Sequence, residues 1–114
     1  MKGRGVEISE DWAKSILPRR EAGAHKWGVG GVVVVAGSPQ YMGAAALCCL
    51  AAGRAGAGIV AAAVPRSIGA TVVGLVPDVT LIFLPEGDSP SVARRAVDAI
   101  SERLDQARAM VVGP

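Results

Sequence analysis

Aromatic residues are nearly missing from this chain, at 4% of the composition, so a core must be filled by alanine, valine and leucine. Charge is also sparse: 19% of residues are Asp, Glu, Lys or Arg, and acidic and basic residues interleave to a net +2. Such a balance gives no basic stripe for nucleic acid and no field that steers the chain to an anionic membrane. Histidine occurs once, as His25, with no cysteine or carboxylate at ligand spacing, which argues against a metal centre. The two cysteines, Cys48 and Cys49, are adjacent and fit neither a zinc spacing nor a redox CxxC pair. They read as small apolar residues. No apolar leader follows Met1, which points to the cytoplasm. One apolar stretch, Gly43 to Val64, has the length of a membrane span, yet Arg54 and the glycines at 53, 56 and 58 interrupt it.

What the chain does have is 51% hydrophobic residues, 15 glycines and 7 prolines in 114 positions. This is the composition of one folded domain with many short connections. Residues 1–7 read as a flexible start, and a single domain portion is expected from 8 to 114. Ser9 before Glu10, Asp11 and Trp12 has the composition of a helix N-terminus, with Ile8, Trp12, Ile16 and Leu17 at helical spacing. Pro18, Arg19 and Arg20 end that element, and a mobile, cationic lead-in through Lys26 and Trp27 reaches the glycines at 28, 30 and 31.

The stretch GVVVVAGSPQYMG, Gly31 to Gly43, organises the rest. Its valines make a strand able to be buried on both faces, Gly37-Ser38-Pro39 stops it, and an alanine-rich helix is expected from Ala44 to about Arg54. Gly56-Ala57-Gly58 supplies the helix stop. A second strand follows at Ile59 to Val64, a short helix at Ser67 to about Leu75, and a third strand at Thr80 to Leu84. The last helix has Ser89 as N-cap and Pro90 at its first position, with Ala93, Val97, Ile100, Leu104 and Ala107 as its apolar stripe and Arg94 and Asp98 as an exposed pair. Met110 to Val112 opens a fourth strand. Strand and helix alternate throughout, which predicts a largely parallel α/β sheet with helices on its faces.

A small-residue loop between strand and helix either holds a ligand with its backbone or only turns the chain, and composition does not separate the two. Gly37 to Gly43 lacks the lysine and hydroxyl residue of a P-loop, and Gly28-Val29-Gly30-Gly31 precedes its strand where a dinucleotide fingerprint follows one. No G-x-S-x-G is present around Ser38, Ser67 or Ser91. Asp78, Glu86 and Asp88 sit among prolines and glycines and read as turn residues. Lys26 is a candidate phosphate contact or simply exposed. Ser38 and the N–H groups near Gly43 and Ala44 are the candidate contacts for polar ligand atoms.

The order Trp12, Leu17-Pro18-Arg19-Arg20, His25-Lys26, VVVVAGSPQYMGAAAL, Arg54-Ala55-Gly56-Ala57-Gly58 and VVGP resembles the NAD(P)H-hydrate dehydratase family over about residues 8 to 114. The resemblance implies a ribokinase-like αβα sandwich with a mostly parallel sheet, of which this is an N-terminal portion. It also implies an ADP- or ATP-dependent lyase using Mg2+ that returns hydrated NAD(P)H to NAD(P)H, cytoplasmic and homo-oligomeric. Gly43 and Ala44 are the substrate contacts it implies, and Gly113 with Pro114 the start of a turn that lines the site; Gly37 and Ser38, in the same loop, complete the candidate substrate- and nucleotide-binding positions. Trp27 stands where the family often has glycine after His-Lys. The family's catalytic aspartate lies beyond Pro114, so no catalytic residue is expected on this chain and these residues alone are expected to be inactive. A ribokinase-like kinase for a sugar or vitamin precursor, or a non-catalytic binding module, are the alternatives.

Overall fold

The computed structural model describes residues 5–17, 23 and 29–113. The readings placed on Met1–Arg4, Pro18 to Arg20, His25, Lys26, Trp27, Gly28 and Pro114 lie outside the described residues. In chain order the elements are α1 (Glu10–Ile16), β1 (Gly31–Val35), α2 (Met42–Arg54), β2 (Ile59–Pro65), a 3-10 turn (Arg66–Ile68), α3 (Gly69–Leu75), β3 (Thr80–Leu84), α4 (Pro90–Leu104) and β4 (Ala107–Val112).

The strands form one parallel sheet in the order β3-β2-β1-β4. Val32 lies beside Val60 and Val35 beside both Ala63 and Val112, so the valine strand is central. Because side chains alternate across a strand, the valines divide between two faces. On one face Val34 joins Val60, Ala62, Val64, Ala45, Ala46, Cys49, Ile68 and Val72 under α2 and α3. On the other Val33 joins Ala63 and Ile82, with Ala99 and Ile100 of α4 against them. Two thin cores, one on each face, are what an alanine- and valine-rich sequence with few aromatics builds.

Local signals act as expected at most boundaries. Ser9 and Ser89 cap α1 and α4, each accepting a hydrogen bond from the amide three residues on, Trp12 and Val92. At the end of α2, Gly56 adopts φ +102°, its N–H bonds Gly53 O and the Ala57 N–H bonds Ala52 O. That pair of bonds is a Schellman stop, which the left-handed glycine permits.

The 43–64 stretch is split between α2 and β2, and no helix among the described residues is long and apolar enough to cross a membrane. Several expectations change. α2 starts at Met42, two residues before the expected Ala44, and the helix expected from Ser67 is a 3-10 turn followed by α3. β4 starts at Ala107, three residues before the expected Met110, so Ala107 belongs to the sheet and not to the helical stripe. The stripe itself is rotated: Val97 is 60% exposed, whereas Ala99 and Ile100 face the sheet. Arg94 and Asp98 are both exposed but make no salt bridge; among the described residues only Lys14 and Glu10, four apart on α1, do so. α1 buries none of its residues, so Trp12 and Ile16 pack no core there.

Candidate active site at the carboxyl edge of the sheet

The chain runs outward from β1 to β2 and β3, then returns to place β4 on the other side of β1. The switch point therefore lies between the carboxyl ends of β1 and β4, where open parallel sheets hold their ligands. The predicted positions collect there. Gly37 and Ser38 leave β1, Gly43 and Ala44 lie in the first turn of α2, and Gly113 leaves β4 with its N–H donating to Val35 O at 3.0 Å. That last bond joins the two strand ends.

Gly37 is fixed by two demands. Its φ is +87°, and a Cβ there would stand 2.9 Å from Ala45 Cβ and 3.0 Å from Ile68 Cδ1. The loop thus presses against α2 and against the turn after β2. Ser38 holds the next bend by accepting the Tyr41 N–H on its carbonyl at 2.9 Å. No side chain caps α2; the Ala44 N–H is taken by Tyr41 O at 3.3 Å, while the Met42 and Gly43 amides have no backbone acceptor among the described residues. Gly43 is exposed, and nothing lies within 4 Å of where its Cβ would be. The result is a wall of bare backbone with positive dipole ends, suited to the polar oxygen atoms of a ligand.

The same edge holds a pair that the sequence placed apart, Glu86 in a turn and Ser67 at a helix start. Glu86, beyond β3, accepts the Ser67 N–H at 2.9 Å on one carboxylate oxygen and the Ser67 hydroxyl at 2.6 Å on the other. The two bonds to Ser67, the hydroxyl first, hold the Glu86 carboxyl below the ordinary carboxylate range. Beside them the Arg66 guanidinium lies 4.8 Å above the Phe83 ring. Ile68 follows Ser67 and touches Gly37, so the pair is tied to the glycine loop through one side chain. Its partners are 19 residues apart, beyond any local motif. The available signal was position: in a parallel alternation, the polar residue after each strand lands on this edge.

Two half-open clefts lie elsewhere: one of about 270 Å3 at the amino ends of the strands, lined by Gly31, Gly58, Thr80, Arg103 and Gln106, and one of about 500 Å3 across the sheet beside Arg54, Val76 and Val79. Asp78 borders both. None of the predicted positions lines either, because the carboxyl edge has one wall among the described residues. No three His, Cys, Asp or Glu side chains of the described residues converge on a metal position. Cys49 is buried and Cys48 half-buried, both free, as the apolar reading of the pair expects. Burial, with Cys48 next to it, pushes the Cys49 thiol above its ordinary value.

The family described as NAD(P)H-hydrate dehydratase matches residues 32–114. The bifunctional NAD(P)H-hydrate repair enzyme Nnr of Moorella thermoacetica is 41% identical over 107 residues, covering 94% of this chain and 20% of that protein. The Nnr of Salinibacter ruber is also 41% identical, covering 95% and 20%. The chain therefore spans about one fifth of the length of the curated relatives it matches. Among solved structures, a ribokinase-like superfamily protein of Enterococcus faecalis superposes with a TM-score of 0.74 at 20% identity, over 94% of this chain and 34% of that one. An ADP/ATP-dependent NAD(P)H-hydrate dehydratase of Bacillus subtilis, co-crystallized with ATP/Mg2+, superposes with a TM-score of 0.63 at 22% identity, over 91% and 44%. The fold is ribokinase-like α/β, and the chain belongs to the NAD(P)H-hydrate dehydratase family.

Proposed function

We propose that this chain forms the substrate-side wall of an ADP- or ATP-dependent lyase that dehydrates hydrated NAD(P)H to NAD(P)H, a repair activity in the cytoplasm. The observation that carries the reading is the family match over residues 32–114, which contains the whole loop from Gly37 to Ala44 at the switch point of the sheet. In this reading Gly43 and Ala44 face the hydrated nicotinamide, where the bare backbone of the first turn of α2 meets polar atoms. Gly37 and Ser38 shape that loop, and Gly113 closes it from the β4 side.

A nucleotide serves as co-substrate by phosphorylating the added hydroxyl group, which turns it into a leaving group. The described residues offer no Walker lysine and no carboxylate cage, so they do not fit a magnesium site. In this reading the ion comes with the nucleotide. Positioning and charge stabilisation dominate phosphoryl transfer, and a chain with one wall supplies only the first. Residues 1–114 by themselves are accordingly inactive, and the active protein is a homo-oligomer.

The test uses the natural gene product that carries this chain, at the full length at which it is encoded. Incubated with hydrated NADH, Mg2+ and either ADP or ATP, it regenerates dihydronicotinamide absorbance in proportion to the nucleotide consumed. A phosphorylated sugar or vitamin precursor formed with no action on the hydrate identifies a kinase instead. Binding without turnover of either substrate identifies a non-catalytic module.

A further inference from the structure

We propose that Glu86 and Ser67 are positioning residues for the glycine loop: they lock the 3-10 turn after β2, and Ile68 in that turn sets where Gly37 and the residues up to Ala44 stand. This role rests on the reading of that loop as the substrate-side wall. Neither the 3-10 turn nor α3 is capped by a side chain at its own N-cap position. Glu86 supplies the missing acceptor from the next crossover, taking the Ser67 N–H at 2.9 Å and the Ser67 hydroxyl at 2.6 Å on its two carboxylate oxygens. The chain leaving β2 is thereby tied to the chain leaving β3. Packing seats the same turn on β3: a Cβ at Gly69 would lie 2.6 Å from Phe83 Cε1, and the Arg66 guanidinium stands 4.8 Å from the centre of that ring.

From the turn, contact runs to the loop. Ile68 is fully buried, and its Cδ1 would stand 3.0 Å from a Cβ at Gly37, with Ala45 Cβ at 2.9 Å on the other side. Gly37 is therefore held between the turn and α2, and close packing passes a shift of Ile68 on to it. One residue further, Ser38 holds the Tyr41 N–H on its carbonyl. The Ser67–Glu86 pair itself is exposed, and exposed pairs add little to global stability. Its effect is local: it sets the fraction of molecules whose loop is ready for ligand. A loop ready about one-tenth to one-fifth of the time raises KM about five- to tenfold and leaves kcat unchanged, because saturating ligand restores the ready form. Global destabilisation does the reverse, lowering the active fraction and so the apparent kcat at constant KM.

The experiment measures KM and kcat for hydrated NADH at saturating nucleotide and Mg2+ on the natural gene product, and amide exchange on the same protein without ligand. Glu86→Ala raises KM about five- to tenfold with kcat within about twofold of wild type, and the Tyr41 amide exchanges faster. Ser67→Ala keeps the N–H bond and gives a smaller rise in KM. The double variant matches Glu86→Ala alone, since the hydroxyl has nothing to hold once the carboxylate is gone. Ser67→Thr retains both donors and the wild-type KM. Asp98→Ala, which removes an exposed carboxylate of α4 that forms no salt bridge, changes neither KM nor exchange. A lower kcat at constant KM overturns the proposal, as do additive effects in the double variant or a Ser67→Thr KM equal to that of Ser67→Ala. If wild type does not act on the hydrate, the functional reading fails and exchange alone decides: an unchanged Tyr41 rate in Glu86→Ala overturns the positioning role, and a faster one upholds it.

Discussion

Replacing Gly37 by alanine probes the loop on which the account rests. The residue sits at φ +87°, where an L side chain costs about 1–2 kcal/mol. The new Cβ then meets Ala45 Cβ at 2.9 Å and Ile68 Cδ1 at 3.0 Å, both on fully buried residues, and forcing such contacts apart costs about 1–3 kcal/mol. Together these give a loss of about 2–5 kcal/mol, or a fall in Tm of about 8–20 °C for a domain of this size. The matched control is Gly43→Ala. That position is helical and open, with no atom within 4 Å, so alanine is neutral or stabilises by up to about 1 kcal/mol. Urea unfolding followed by far-UV circular dichroism measures both. A Gly37→Ala midpoint equal to wild type, or a Gly43→Ala loss as large as that of Gly37→Ala, refutes the reasoning.

Other expected outcomes follow from the same packing and charges. The folded state holds the Glu86 carboxyl below its ordinary value of about 4.5, so the unfolded chain binds more protons in that region and stability rises with pH there. The Glu86 contribution is present above about pH 4.5 and fades as pH falls through the lower folded value; urea midpoints of wild type and Glu86→Gln therefore converge on acidification. Glu86 is fully exposed, so the difference is small, and a constant offset across pH contradicts the assignment. Ile68→Ala removes a fully buried side chain that touches Gly37 and costs about 2–5 kcal/mol, measured by the same unfolding curves. Thiol titration finds Cys49 protected at neutral pH until denaturant unfolds the chain, since its thiol is buried and its thiolate disfavoured.

The parts of the fold legible in the sequence are those set by local chemistry. Valines at 32–35, the cap Ser89 before Pro90 and the glycine at 56 each specify a conformation within a few residues, and each element lies where those signals place it. Tertiary decisions were less visible. The start of β4 at Ala107 was hidden because Ala107, Arg108 and Ala109 carry no β-branched side chain, and pairing with β1 overrides that weak propensity. The buried face of α4 is set by how the helix sits over β2 and β3, which brings in Ala99 and leaves Val97 outside. Of the site, the glycine loop was legible as a strand, a stop and a helix start, while the Ser67–Glu86 pair depends on which strands become neighbours. Strand alternation predicts parallel pairing but not the order β3-β2-β1-β4 that creates the switch point.

That switch point is open to direct test. Amide hydrogen exchange on the natural gene product, with and without hydrated NADH, reports which edge of the sheet meets the ligand. Slowed exchange is expected in residues 37–44 and at Gly113. Slowing confined to the amino edge, around Gly58, Asp78 and Arg103, with residues 37–44 unchanged, contradicts it.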